Sequence, residues 1–291
     1  MEIILFTANV TGAMLLDTLK TGSLRPHVIT YSRGFQRTGL AEDFSRFAND
    51  FPITFISANS HEKCPELEQI MKGNIAVCVD WTKDFFSGAD YPVVYAHPSL
   101  LPLYRGYSAV TEQFERGVAV SGATFYLMGD QIDGGDILHQ QRIRLDFNDY
   151  PMDFYEKYIP VCAGFIQELS RRGIDGFGRK QQDPDSAVYL QRKRTRDALI
   201  DFTRDAFSLY NHIRAYSRPF FGAYFMLNGQ KVTVWKASTE KWQGDYGEPG
   251  TVIDIYDKLI EVACGSGTIM LSETEGLSPD DLSIGDNLGG I

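Results

Sequence analysis

The most informative stretch of the chain is VVYAHPSLLPLYRG, residues 93–106. Its first three residues predict a short strand, and the prolines at 98 and 102 can continue neither a strand ladder nor a helix. We therefore expect His97 in an ordered loop at the end of a strand. An imidazole there can act as an acid or a base near neutral pH, although a histidine in a polar loop can equally be structural.

On the amino-terminal side of this stretch, apolar strand-like segments alternate with helical ones. Strands are predicted at 3–6, 27–31, 53–56 and 75–79, and helices at 13–20, 40–47 and 65–71. Strands separated by helices of this length predict an α/β fold, in which a mostly parallel sheet carries helices on both faces. In such sheets the ligand site lies beyond the carboxyl ends of the strands.

On the carboxyl side the pattern continues and then changes. We predict a helix at 108–116, strands at 122–128 and 137–145, and a long helix from Pro151 that Pro160 kinks or splits. Residues 1–173 form the first predicted domain, residues 174–204 a polar linker, and residues 205–291 a second domain. The second domain has a helix at 205–216 and then five strands, at 223–227, 230–235, 250–256, 259–263 and 267–271, which predict a small β-barrel.

Composition limits the kinds of partner. The 291 residues are 43% hydrophobic and 23% charged, with a net charge of −10. This charge argues against DNA and weakly against RNA, because phosphate binding needs concentrated positive charge. The basic run at 191–196 is interpreted as a solvated linker. No apolar run of about 18 residues is present to span a membrane.

The cysteines and histidines indicate the compartment. Four cysteines without CxxC spacing are interpreted as reduced thiols of a cytoplasmic protein; they are Cys64, Cys78, Cys162 and Cys264. The five histidines are dispersed, so we predict no zinc site and no other bound metal.

A second candidate element is the glycine-rich turn DQIDGGDI, residues 130–137. A carboxylate among glycines leaves Asp133 able to reach a neighbouring loop. If it met His97, the carboxylate would orient the imidazole and favour its charged form. The spacing alone leaves open the alternative that Asp133 is only a turn residue.

Two motifs carry a resemblance to a known family. HPSLLPLYRG at 97–106 resembles the signature loop of the 10-formyltetrahydrofolate-dependent formyltransferases, and SGATFYLMGDQIDGGDILHQ at 121–140 resembles their second signature. Residues 189–225 and the predicted barrel are similar to the C-terminal domain of the methionyl-tRNA branch. The resemblance covers nearly the whole chain and implies a Rossmann-like catalytic domain with an OB-like accessory barrel.

By position, the resemblance implies that His97 and Asp133 are the catalytic histidine and aspartate. The family's third catalytic residue, an asparagine that helps hold the formyl oxygen, lies two positions before the histidine and is Tyr95 here. An oxyanion donor can be worth roughly 3–4 kcal/mol. Either the Tyr95 hydroxyl donates instead, or another donor replaces it, or catalysis is slower or lost.

The resemblance also implies 10-formyltetrahydrofolate as the formyl donor. The residues assigned to this folate are Asp80, Trp81, Thr82, Phe85, Asp130 and Asp133. Those assigned to the acceptor are Tyr104, Arg105, Tyr107 and Tyr126. The Arg105 guanidinium suits a pyrophosphate, but it can equally brace its own loop, and alternation does not settle whether Tyr126 faces the site or the core.

Members of the tRNA branch keep the asparagine that is Tyr95 here, and this chain is acidic. We therefore expect a nucleotide-linked amino sugar of the 4-amino-4,6-dideoxy type as the acceptor, in bacterial surface-glycan pathways such as pseudaminic acid biosynthesis. The alternatives are methionyl-tRNA, another amine or folate hydrolysis, and a folate-binding homologue without turnover. A homodimer is an open alternative to a monomer.

Overall fold

The computed structural model describes residues 2–32, 36, 40–57, 65–81, 86 and 90–289. The helices are α1 (Asn9–Leu19), α2 (Pro65–Met71), α3 (Ala109–Glu115), α4 (Pro151–Arg172) and α5 (Ala206–Tyr216). The first nine strands are β1 (Ile3–Thr7), β2 (His27–Tyr31), β3 (Ile53–Ile56), β4 (Ile75–Val79), β5 (Val93–His97), β6 (Arg105–Gly106), β7 (Val120–Leu127), β8 (Ile137–Arg144) and β9 (Tyr189–Leu190). The last five are β10 (Ala223–Leu227), β11 (Gln230–Ser238), β12 (Val252–Tyr256), β13 (Leu259–Ala263) and β14 (Thr268–Glu275). Among these described residues, no helix combines the length and apolar character needed to cross a membrane.

The chain divides into two compact units. The first comprises residues 1–109, 119–146 and 153–191, and the second comprises 110–118, 147–152 and 192–291. Residues 174–204, predicted as a linker, divide between these units and contain ordered elements. Within the first unit, part of this segment is ordered because it forms β9, which pairs in parallel with β6.

A seven-stranded sheet forms the centre of the first unit, in the order β3-β2-β1-β4-β5-β7-β8. The first five strands in this order pair in parallel, and β7 and β8 are antiparallel. Every residue of β1, β4 and β5 is buried, as expected for central parallel strands covered on both faces. The predicted mostly parallel sheet is confirmed, and the strand order reverses between β1 and β4, where such folds place their ligands.

Two local predictions in the first unit are wrong. Residues 40–47 do not form a full helix but a short 3₁₀ turn at Phe44–Phe47, which Asp43 caps by accepting from the Ser45 N–H. Of the kink or split predicted at Pro160, the split does not occur, because α4 continues through this residue, and the kink stays a prediction. Pro160 is exposed, so the carbonyl that loses its helical partner there lies on the solvent side.

The second unit is built on a five-stranded antiparallel sheet, in the order β10-β11-β14-β13-β12. All five predicted strands are present, and Asn228 and Gly229, both with positive φ, form the turn between β10 and β11, as an Asn-Gly pair predicts. The C-terminal antiparallel sheet is confirmed. Its closure into a barrel stays a prediction, since β10 and β12 are the two end strands of this order.

Candidate active site

His97 is the last residue of β5 rather than the first of a loop. It pairs across the sheet with Thr124 of β7, so its position is set by the sheet and not by the prolines that follow. The loop after it is tied down by side chains of β7 and β8. Thr124 donates to the carbonyl of Ser99 at 2.6 Å, and Gln140 donates to Thr124 Oγ1 at 2.8 Å and to the Leu101 carbonyl at 3.0 Å.

Both ring nitrogens of His97 face protein groups. Nε2 lies 2.8 Å from the carbonyl oxygen of Tyr104, and because a carbonyl only accepts, Nε2 carries the hydrogen. Nδ1 lies 3.6 Å from Oδ2 of Asp133. A second proton on the ring therefore points at a carboxylate, which stabilises the imidazolium form. The predicted meeting of His97 and Asp133 occurs in the structure.

Asp133 is 2% exposed and has φ +52°, a conformation that aspartate tolerates better than most residues. Its Oδ2 accepts from the Gly106 N–H at 2.7 Å, and its Oδ1 accepts from the Tyr126 hydroxyl. Burial and the adjacent Asp133 carboxylate raise the pKa of Tyr126 well above its usual value, so the hydroxyl remains a donor. Tyr126 therefore contacts Asp133, and its predicted contact with the acceptor stays a prediction.

Tyr95 lies within the aromatic core of the first unit. Its ring is 4% exposed and stacks on Tyr126 at a centroid distance of 5.9 Å, with Phe86 edge-on at 6.3 Å. Cys78 is its neighbour across the sheet. Burial raises the pKa of the Cys78 thiol well above its usual value, and a hydrogen bond from Tyr95 opposes this. Tyr95 thus packs beside Cys78 in the core.

Asp80 and Trp81, assigned to the folate, follow β4 at the point where the strand order reverses. Oδ2 of Asp80 accepts from Asn9 at 3.0 Å and from Thr11 at 2.7 Å, which joins the first turn of α1 to the end of β4. Trp81 is buried and stacks on Tyr31 with centroids 4.1 Å apart. Thr82 and Phe85 lie outside the described residues.

The remaining predicted site residues divide by exposure. Asp130 is exposed, while Tyr104 and Tyr107 are half-buried. Arg105 is 1% exposed, and its guanidinium donates to Gln182 Oε1 at 2.8 and 3.2 Å and to the Tyr189 hydroxyl at 2.8 Å. In this structure Arg105 therefore braces its loop, which is the alternative to binding a pyrophosphate.

Sequence reasoning missed Gln182, which lies in the predicted linker and contacts Asp133. Its only sequence signal is a glutamine in a polar segment, which does not distinguish it from its neighbour Gln181. Among the described residues, no group of three or more His, Cys, Asp or Glu side chains is arranged to hold a metal ion.

The fold and this site together define a class of protein. A buried carboxylate holds an imidazole at the end of a parallel strand beside the sheet's reversal point, an arrangement suited to proton movement and charge stabilisation during group transfer. The family model described as formyl transferase matches residues 4–160, and that described as formyl transferase, C-terminal domain, matches residues 193–287. The chain belongs to the formyl transferase family and is a formyl-transferring enzyme.

Individual relatives differ in acceptor. The methionyl-tRNA formyltransferase of Pseudothermotoga lettingae is 30% identical over 200 residues, which cover 67% of this chain and 63% of that protein's length. The methionyl-tRNA formyltransferase of Francisella tularensis is 26% identical over 98% of this chain and 93% of its own. The N-formyltransferase of Helicobacter canadensis, solved in complex with folinic acid and dTDP-3-aminofucose, is 15% identical with a TM-score of 0.65, over 94% of this chain and 100% of that one. The last likeness shows the shared fold.

Proposed function

We propose that this enzyme transfers a formyl group from 10-formyltetrahydrofolate to the amine of a nucleotide-linked amino sugar of the 4-amino-4,6-dideoxy type, in bacterial surface-glycan biosynthesis. The observation that carries the proposal is the His97–Asp133 pair. Asp133 is buried and bonded to Tyr126 and Gly106, and it faces the imidazole across 3.6 Å. This arrangement provides one N–H donor and one proton acceptor at a single position.

The proposed reaction is a direct acyl transfer. The neutral acceptor amine attacks the formyl carbon, a new C–N bond forms, and negative charge develops on the formyl oxygen. The Nε2–H of His97, which binds the Tyr104 carbonyl in this structure, donates to that oxygen instead. The bond from the formyl carbon to folate N10 then breaks. The proton lost by the amine passes through Asp133 to N10, so that no covalent enzyme intermediate forms.

His97 and Asp133 fit a formyl donor, because they supply the hydrogen-bond donor and the carboxylate that the transfer needs. Support for a folate donor comes from the family match and from the folinic acid complex of the Helicobacter canadensis relative. We assign Asp80, Trp81 and Asp130 to the folate; Thr82 and Phe85, predicted with them, lie outside the described residues. Tyr31 covers one face of Trp81, so a folate contact would use its other face or its edge.

Two features favour a sugar over a tRNA. The net charge of −10 opposes a polyanion of this size, and Tyr95 replaces the asparagine expected in the tRNA branch. The dTDP-3-aminofucose complex of the Helicobacter canadensis relative supports a nucleotide-linked amino sugar in general, although its amine is at position 3 and not at position 4. Tyr104, whose carbonyl meets His97, and Tyr107 are both half-buried and remain our candidates for acceptor contacts. The predicted cytoplasmic location stays a prediction.

Methionyl-tRNA is the second candidate acceptor, and the full-length likeness to the Francisella tularensis enzyme favours it. Arg192, Arg194 and Arg196 are exposed on the second unit and offer a local positive patch for phosphates. A folate-binding homologue without turnover is the third candidate. The observation in its favour is that Tyr95, at the position of the family's asparagine, is 4% exposed and packed among Phe86 and Tyr126 in the core.

An acceptor panel tests the proposal. Purified protein and 10-formyltetrahydrofolate are incubated with UDP- and dTDP-linked amino sugars, with methionyl-tRNA in parallel, and products are weighed by mass spectrometry. We expect a formyl mass increment on one sugar and none on the tRNA. An increment on the tRNA alone would show that the acceptor is wrong, and folate binding without any product would favour the third candidate.

A further inference from the structure

Asp133 depends on contacts from a segment that neither family match includes. Its backbone carbonyl and that of Gly135 accept from Nε2 of Gln182, at 2.8 and 2.7 Å. Gln182 is 6% exposed and lies between the matched stretches 4–160 and 193–287. One amide group thus holds both sides of the turn that gives Asp133 its positive φ.

The orientation of the Gln182 amide is fixed in turn by Arg105. Nε and Nη2 of Arg105 both donate to Gln182 Oε1. Because a guanidinium only donates, the amide oxygen must face Arg105 and the amide nitrogen must face the two carbonyls. A third guanidinium nitrogen, Nη1, donates to the Tyr189 hydroxyl, which fixes Arg105 itself.

The segment that contains Gln182, residues 180–190, is anchored on both sides of the candidate site. Lys180 and Ile137 exchange backbone hydrogen bonds at 2.9 Å in each direction, which ties the segment to the strand after Asp133. At its other end, β9 pairs with β6, and β6 contains Gly106, whose N–H binds the Asp133 carboxylate. Asp133 is therefore held at its carboxylate by the histidine loop and at its carbonyl by Gln182.

We propose that Gln182 is a positioning residue of the formyl-transfer site, acting through Asp133 on the His97 imidazole. This inference rests on the proposed roles of His97 and Asp133. Without the two amide N–H donors, the turn at Asp133 loses the hydrogen bonds that fix its backbone. The distance between the Asp133 carboxylate and His97 Nδ1 is then no longer fixed. Because Gln182 touches neither His97 nor the Asp133 carboxylate in the described contacts, its loss changes the geometry of the pair and not its chemistry.

The test is the substitution Gln182→Glu, which keeps the acceptor for Arg105 but removes both N–H donors. The matched control is Gln181→Glu, the same change at the exposed neighbouring glutamine. We expect kcat to fall by roughly 10- to 100-fold, with KM for the formyl donor within about twofold of wild type, because displacement of a catalytic group by about 1 Å can cost about 100-fold. The control should match wild type.

A second readout needs no acceptor. The pH at which the His97 imidazole titrates is followed by proton–nitrogen NMR, with His97→Ala to assign the signal and Asp133→Asn as the reference. We expect Gln182→Met, which removes both donors without adding a charge beside Asp133, to move this titration towards that of Asp133→Asn, and the matched Gln181→Met to leave it unchanged. If the wild type formylates nothing on the panel, the proposed function fails while this measurement still decides the role of Gln182.

Three results would overturn the inference. The first is a Gln182→Glu enzyme with wild-type kcat together with a Gln182→Met protein with wild-type His97 titration. The second is a loss of activity that only follows a lower Tm, with the titration unchanged. If Gln182→Glu does not fold, Gln182→Met is measured in its place by the same criteria, and wild-type values in that variant would be the third.

Discussion

The substitution Tyr126→Phe removes a single hydroxyl from the candidate site. In the structure this hydroxyl donates to Oδ1 of Asp133, and the ring it belongs to is 3% exposed and stacked on Tyr95. Phenylalanine keeps the ring and the stacking. The variant therefore isolates one charge-assisted hydrogen bond at a buried carboxylate.

The size of the effect follows from that bond. A hydrogen bond to a charged group contributes about 1.5–3 kcal/mol, and its loss leaves a buried acceptor without one of its donors. At about 2–4 °C per kcal/mol for a chain of this size, Tm should fall by about 3–12 °C. If the transition state feels the same loss, kcat falls by about 10- to 100-fold, since each 1.36 kcal/mol is about tenfold.

The assay combines a thermal melt with the initial rate of formyl transfer, and Tyr158→Phe serves as the control. Tyr158 is buried in α4, where its hydroxyl bonds the Cys162 thiol, so the control loses a neutral bond worth only about 0.5–1.5 kcal/mol. We expect the control to keep the wild-type rate. A Tyr126→Phe enzyme with wild-type rate and a Tm no lower than the control would refute the assigned role of Tyr126.

Three further substitutions test separate contacts. Tyr95→Asn should destabilise the protein by about 3–5 kcal/mol, because it empties a buried aromatic position, and a melting temperature near that of wild type would contradict this placement. Gly106→Ala should lower the free energy of unfolding by about 1–3 kcal/mol and reduce kcat, because a Cβ there, at φ +97°, would lie 2.6 Å from the Leu190 carbonyl oxygen. An unchanged urea midpoint and an unchanged rate would show that β6 can shift without loss of stability. For Glu115→Gln, burial opposes ionisation, but bonds from nearby side chains, including Lys193, outweigh it and lower the pKa of Glu115 to about 2. This folded-state pKa lies below the usual 4.5, so the free energy of unfolding lost in the variant should be constant above about pH 5 and shrink as the pH falls towards 2. Urea midpoints measure this loss, and a loss that grows on acidification would contradict the lowered pKa.

The parallel sheet was predictable because local sequence encodes it, whereas the His97–Asp133 pair was predictable only from the family resemblance, since spacing alone left Asp133 open as a turn residue. Short apolar runs between helices fix a parallel sheet, and the ends of its strands meet at one edge. The prolines after His97 and the glycines around Asp133 mark ordered turns at that edge. Both motifs were long enough for the resemblance to identify them, and the family match confirms the assignment of the chain to formyl transfer.

The supporting contacts were not predictable, because they depend on residues far apart in the chain. Gln182 is 49 residues from Asp133, in a segment whose polar composition is typical of a linker. The strand pattern left two orientations for Tyr126, and only the fold decides between them. Arg105 is a surface-type residue by composition, yet it is among the most buried side chains, because Gln182 and Tyr189 together provide its acceptors.

The most direct test of the account is the rate of formyl transfer from 10-formyltetrahydrofolate to the best acceptor of the panel, in wild type and in His97→Ala. The variant removes the Nε2–H donor and the partner of Asp133, while the neighbouring strand residues remain. We predict a formyl mass increment on an amino sugar with the wild type and at least a 100-fold lower rate with the variant. A variant that formylates the same sugar at the wild-type rate would contradict the account.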